Sequence, residues 1–322
     1  MSINGTTNTG HLAGNVLRFE RSSIHDGQGL RTVIFLKGCP LNCPWCSTPE
    51  SRDSGMERGY IRSLCSACGR CVNICPSGAL STCSTGDKVT YKNHECALCF
   101  SCADACLNGA VKKYGYRMTV NQVMEEIAKD EIFYYHSGGG ITISGGEPLA
   151  QPLFTAAILK SSKKAGIHTA MESCFFADSQ IIYTILPLLD LLYVDIKHIN
   201  SKVHKKWTGE GNEIILDNLL KTSSSPNPFS LVIRIPLIKG FNDDMQNLMG
   251  TLQFVEKLPK VKLIELLPYH RLGSETYDHL GQVYNCSTLA THTTRELEAI
   301  SAGMNSKSKN IPVTVGSGFN AK

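Results

Sequence analysis

Apolar and polar residues along this chain follow two alternating periods. Short β-branched and aliphatic runs, bounded by glycine or polar residues, recur at 32–36, 141–144, 168–171, 191–195, 231–235 and 261–267. Runs of this kind predict buried strands. Between them the apolar residues fall at helical spacing. Val120, Val123, Met124 and Ile127 repeat behind Thr119 and Gln122, a capping-box pair. Helices are also predicted over 152–166, which opens on proline and closes on glycine, over 179–188, within 201–222, over 243–258 and near 287–303. A short strand at 15–20 comes first and a last strand at 311–315 closes the chain, while residues 1–14 read as a mobile tail.

Strands that alternate with helices predict an α/β fold around a parallel sheet. A closed barrel needs eight such units. Six suit an open one, a partial TIM-like (β/α)6 barrel whose lateral gap could admit a macromolecular substrate. Functional residues are expected at the C-terminal ends of the strands.

Residues 55–115 break this pattern. They lack long apolar periodicity and carry two similar cysteine runs, Cys65-x2-Cys68-x2-Cys71-x3-Cys75-Pro76 and Cys96-x2-Cys99-x2-Cys102-x3-Cys106. The repeat resembles the bacterial two-cluster ferredoxin pattern, in which the fourth cysteine of each run ligates the other run's cluster. That resemblance implies one 4Fe–4S cluster on Cys65, Cys68, Cys71 and Cys106 and a second on Cys96, Cys99, Cys102 and Cys75. A segment this short buries little apolar surface, so the clusters would serve as its core. The expected divisions are therefore 1–54, an inserted bacterial-ferredoxin-like domain at 55–115, and 116–322. Zinc is the rival reading of these runs, but neither has a histidine at ligand spacing.

The 322 residues include fourteen cysteines, and eleven of them fall between Cys39 and Cys106. No secretory pattern opens the chain and no apolar run is long enough to span a membrane, so the expected compartment is the cytoplasm, where such clustering favours metal over disulfides. The formal net charge is +4. Iron-bound thiolates would cancel much of it, and no Lys/Arg run supports nucleic-acid or membrane binding. Cys83, Cys174 and Cys286 stand outside the motifs and read as buried thiols, with Cys174 close to a site-end of a strand.

Directly after the 32–36 strand comes Gly38-Cys39-Pro40-Leu41-Asn42-Cys43-Pro44-Trp45-Cys46. Three thiolates can hold three irons of a 4Fe–4S cluster and leave the fourth open to a small molecule. The C-x3-C-x2-C spacing of Cys39, Cys43 and Cys46 resembles the radical S-adenosylmethionine (SAM) superfamily. Ser144-Gly145-Gly146-Glu147-Pro148 is similar to the superfamily's motif for the SAM amino group. Asp195-Ile196-Lys197 puts both charges on one strand face. It resembles the D-x-K motif of glycyl-radical-enzyme activating enzymes, and that resemblance implies Lys197 on the SAM carboxylate and Asp195 beside a monovalent cation. Glu172 and Ser173 stand where the family has an Asp-Thr pair for the same cation, so the cation site departs from the pattern. Arg234 and His270 match further SAM contacts. Asp26, in Asp26-Gly27-Gln28-Gly29, matches the residue that touches the partner's glycine loop, with Gln28 replacing proline. Trp45 would pack on the cluster or near the adenine.

The resemblance implies an activase that reductively cleaves SAM and takes a hydrogen from a backbone glycine of a glycyl radical enzyme, with electrons from a flavodoxin or ferredoxin-type donor. Two alternatives share some of these features. One is a radical SAM enzyme acting on a small molecule or peptide. The other is an electron-transfer module without SAM, against which the missing fourth cysteine of the triplet argues.

Overall fold

The computed structural model describes residues 9–82 and 88–316. Cys83 lies outside them. The strands are β1 (Ala13–Ser23), β2 (Arg31–Leu36), β3 (Glu57–Tyr60), β4 (Leu80–Thr82), β5 (Val89–Tyr91), β6 (Val111–Tyr114), β7 (Tyr116–Thr119), β8 (Gly140–Gly145), β9 (His168–Ser173), β10 (Leu191–Asp195), β11 (Ser230–Leu237), β12 (Val261–Pro268) and β13 (Val313–Val315). The helices are α1 (Arg70–Asn73), α2 (Ser101–Asp104), α3 (Val120–Ala128), α4 (Glu131–Ser137), α5 (Pro152–Lys164), α6 (Ser179–Ile185), α7 (Ser201–Thr208), α8 (Glu213–Ser223), α9 (Met245–Val255), α10 (Ser274–His279) and α11 (Thr294–Asn305).

Nine strands form one sheet in the order β13-β12-β11-β10-β9-β8-β2-β1-β7. From β2 to β13 all neighbours run parallel. The fold is therefore α/β with a largely parallel sheet, as the alternation predicts. Among the described residues its end strands, β7 and β13, do not pair with each other.

The first strand is longer than expected. Ala13–Val16 pair antiparallel with Thr119–Tyr116, so residues 13 and 14 belong to the sheet rather than to a tail. That pairing joins segments a hundred residues apart, and local pattern carries no trace of it. The helix expected near 287–303 begins only at Thr294, where Thr293 and Glu296 form a capping box. The helix expected over 179–188 is α6 followed by a 3-10 turn at Leu186–Leu188, where Pro187 removes a backbone donor. The Thr119–Gln122 box opens α3 as predicted, with Gln122 N donating to Thr119 Oγ1 at 3.2 Å.

The sheet's two faces differ in chemistry. Ile34, Ile143, Met171, Val194, Ile233 and Ile264 pack into the main core with the helices. The opposite face carries Arg31, Thr142, Glu172, Tyr193, Arg234 and Glu265, a buried polar layer. Arg234 pairs with Glu172 and with Glu265, the latter at 2.9 Å, and its guanidinium lies 3.7 Å from the Tyr193 ring centroid. Charges at this depth persist only when paired and hydrogen-bonded.

Residues 57–114 form two small antiparallel pairs, β3–β6 and β4–β5, with α1 and α2 between them. The two cysteine runs repeat in the backbone as well. Ala67 and Gly69 in the first, and Leu98 and Phe100 in the second, all have positive φ. The core of this segment is Cys71, Leu80, Val89, Cys102 and Val111, so two of its five buried members are thiols. Lys37, fully buried at the end of β2, donates to Glu57 Oε2 at 2.9 Å and ties the segment to the main sheet.

Candidate functional site

The loop after β2 is held by backbone hydrogen bonds. Gly38 N donates to Ser51 O at 2.7 Å, Cys39 N to Arg52 O at 3.0 Å, and Asn42 N to Thr208 O at 2.7 Å. The loop after β8 docks on it, with Glu147 N donating to Gly38 O at 2.7 Å. No side chain fits at that junction. A Cβ on Gly146 would meet Gly38 O at 2.3 Å, and one on Gly145, where φ is +116°, would meet Leu36 N at 2.2 Å.

These loops and the ends of β9 to β12 enclose a cavity of about 280 Å³. Cys39, Cys43, Trp45 and Cys46 line it together with Gly145, Gly146, Glu172, Ser173, Asp195, Lys197, Arg234 and His270. The expected residues thus meet at one place, with two exceptions. Glu147 does not line the cavity. Its buried carboxylate accepts from Ser173 Oγ at 2.7 Å, Cys174 N at 2.7 Å and Leu149 N at 2.9 Å. Asp26 is also outside the lining. Its carboxylate accepts from Ser23 Oγ and its carbonyl from Thr142 Oγ1 at 2.7 Å, while Arg234 Nη2 reaches the neighbouring His25 O at 3.1 Å. Ser144, Thr48, Cys174 and Tyr269 line the cavity without having been expected as ligands. For Ser144, Cys174 and Tyr269 the position at a strand end was the available signal, and for Thr48 its place two residues after Cys46.

The electrostatics of the cavity follow from burial and pairing. Burial pushes the Cys43 thiol up to about 12 and also raises Cys46. A hydrogen bond from the Cys174 thiol holds Cys39 below its ordinary value. Burial works against the Lys197 ammonium, but Asp195, 2.7 Å away, keeps its pKa above normal. Glu172 is raised to about 7 by burial against the pull of Arg234. Trp45 packs in an aromatic group, 4.7 Å from Phe241 and 6.1 Å from Trp207.

The eight cysteines of the two runs fall into two sets. Cys65, Cys68, Cys71 and Cys106 border one cavity of about 220 Å³. In the other set Cys99 feels the charge of Cys75, and Cys102 that of Cys96 and Cys99. The first set draws its fourth thiol, Cys106, from the other run. Among the described residues all cysteines are free, and no three His, Cys, Asp or Glu side chains converge tightly enough for a single metal ion. Thiols that surround a space suit a cluster, and metal binding relieves the cost of burying thiolates.

Comparison with known proteins agrees with this chemistry. The Radical SAM superfamily model matches residues 90–252, and a 4Fe-4S binding domain model matches residues 59–81. The (2S)-3-sulfopropanediol sulfolyase activating enzyme of Bilophila wadsworthia is 42% identical over 274 residues, covering 84% of this chain and 90% of that protein. The trans-4-hydroxy-L-proline dehydratase activating enzyme of Clostridioides difficile is 39% identical over 288 residues, covering 88% and 94%. The crystal structure of a radical SAM methyltransferase from Sphaerobacter thermophilus shares the fold alone, with a TM-score of 0.51 and 11% identity over 93% of this chain and 76% of that one. Three cysteines that share a cavity with charged strand ends, together with the family match and relatives of this similarity and coverage, make the chain a member of the radical SAM superfamily and, within it, of the activating enzymes of glycyl radical enzymes.

Proposed function

We propose that this activating enzyme carries three 4Fe–4S clusters and binds SAM in the cavity beside Cys39, Cys43 and Cys46. The observation that carries the reading is the cavity lining, which brings these thiols together with Asp195, Lys197, Arg234 and His270. Cys39, Cys43 and Cys46 would hold one cluster and leave it open on one side to SAM. Lys197 faces the carboxylate, and Arg234 and His270 contribute further polar contacts. Gly145 and Gly146 lack side chains, which lets backbone lie against the methionine portion. Trp45 closes the apolar side. Asp195, Glu172 and Ser173 supply oxygens for a monovalent cation. Asp26 receives the glycine loop of the partner. When bound and reduced, the cluster and SAM together supply the 5′-deoxyadenosyl radical that takes a hydrogen from the partner's glycine.

Residues 1–54 and 116–322 form a partial (β/α)6 barrel, which the unpaired sheet ends support. Residues 55–115 form a ferredoxin-like insert with two auxiliary clusters, which the repeated backbone and the crossed cysteine sets support. A flavodoxin or ferredoxin-type protein in the cytoplasm donates the electrons. No helix of the described residues is long and apolar enough to cross a membrane.

Iron analysis of anaerobically reconstituted protein tests this. About twelve irons per chain are expected, and about eight in Cys43→Ala, which should form no 5′-deoxyadenosine. Normal SAM cleavage in that variant would overturn the active-cluster assignment. Four irons in the wild type would overturn the auxiliary pair.

A further inference from the structure

The turn after β9 is held from several sides. Glu147 accepts from Ser173 Oγ at 2.7 Å and from Cys174 N at 2.7 Å. Phe175 N donates to Ser173 Oγ at 2.9 Å. Asn218 of α8 donates from Nδ2 to Phe175 O at 3.1 Å and to Ala177 O at 2.8 Å. Phe175 is fully buried and has a φ of +62°, a region that a bulky side chain enters at a cost. Such a conformation persists only where its surroundings over-determine it. The residue fixed between Ser173 and Phe175 is Cys174.

Cys174 is buried, packs in one apolar group with Cys43 and Trp45, and lines the cavity with all three cysteines of the triplet. Its thiol is hydrogen-bonded to that of Cys39. A cysteine that ligates iron is deprotonated, so its sulfur can only accept. Once Cys39 is a ligand, the hydrogen between the two sulfurs therefore comes from Cys174.

Resting on the assignment of the SAM-site cluster to Cys39, Cys43 and Cys46, we propose that Cys174 is a positioning residue that tunes this cluster through Cys39. Its S–H donates to Cys39 Sγ, draws negative charge from that sulfur and favours the reduced cluster over the oxidised one. Hydrogen bonds to ligand sulfurs are among the levers that set such potentials. The thiol keeps its proton throughout. One electron enters the cluster from its reductant, and no bond of Cys174 forms or breaks. The potential rises, which eases reduction of the cluster.

The test is a redox titration of the loaded enzyme by electron paramagnetic resonance, following the signal that changes when SAM is added. Two pairs of variants each differ by one hydroxyl donor, Cys174→Ser against Cys174→Ala and Cys174→Thr against Cys174→Val. In each pair the hydroxyl variant should keep the higher potential, by up to about tenfold in the one-electron equilibrium, or about 59 mV. Cys286 packs in the same apolar group, where burial raises its thiol. Cys286→Ser and Cys286→Ala should therefore not separate. Equal or reversed potentials in the Cys174 pairs that load iron fully would overturn the proposal, whatever their offset from the wild type, because packing would then account for it. Loss of the SAM-responsive signal in all four would overturn it as well, since Cys174 would then build the cluster rather than tune it. A SAM-responsive signal that survives in Cys43→Ala would instead fail the active-cluster assignment.

Discussion

Glu147 accepts the hydroxyl hydrogen of Ser173 at 2.7 Å, and this bond joins the loop after β8 to the end of β9. The same carboxylate takes the backbone N–H groups of Cys174 and Leu149. Its place in the Gly-Gly-Glu-Pro sequence suggests a ligand contact. Its geometry gives it a second job, as the clamp that holds two walls of the cavity together. Glu147→Gln keeps the shape but turns an amide NH2 toward donors. A loss of about 1–3 kcal/mol in unfolding free energy is expected, since a buried donor is left unsatisfied. Chemical denaturation of the wild type and the variant checks this.

Gly146→Ala should disturb the cysteine loop directly. The new methyl would meet Gly38 O at 2.3 Å and Ser51 O at 2.7 Å, both backbone atoms. Overpacking of this kind costs about 1–3 kcal/mol. The expected result is lower iron loading at the Cys39 site with normal loading of the insert. Iron content and 5′-deoxyadenosine yield, measured together, read it out.

Arg234 bridges Glu172 and the fully buried Glu265. Arg234→Met leaves both carboxylates without their guanidinium and should cost about 3–5 kcal/mol. Arg234→Met/Glu265→Gln should recover part of that loss, because one of the two stranded charges is gone. Equal stability of the single and double variants would contradict the bridge.

Acid sensitivity has one identifiable source at α11. The Lys239 ammonium, followed by the backbone and hydroxyl of Thr293, lowers the Glu296 carboxyl from its ordinary 4.5 to about 2. A depressed carboxylate adds stability above its unfolded pKa and loses it as pH falls. The wild type should therefore exceed Glu296→Gln in stability above pH 4.5 and lose that margin toward pH 2. Thermal midpoints of the two proteins across this range give the comparison.

Much of the site was legible before any fold was in hand. Cys39, Cys43, Cys46, Lys197 and Arg234 follow from spacing, strand ends and family resemblance, and they meet in one cavity. Glu147 and Asp26 show where that reasoning thins. A motif names a residue type at a turn, but whether its side chain faces a ligand or a neighbouring loop depends on what packs beside it. The hydrogen bonds to Ser173, Cys174 and Thr142 come from segments distant in the chain.

The sequence by itself determined the alternation of strands and helices, the cysteine spacings and the charge pairs on strand faces, because periodicity and ligand spacing are local properties. Tertiary structure alone decided that β1 runs between β2 and β7 and that Cys174 lies against Cys39. Those relations depend on which surfaces exclude water together when the chain closes. That is a property of the whole chain, and no single stretch carries it.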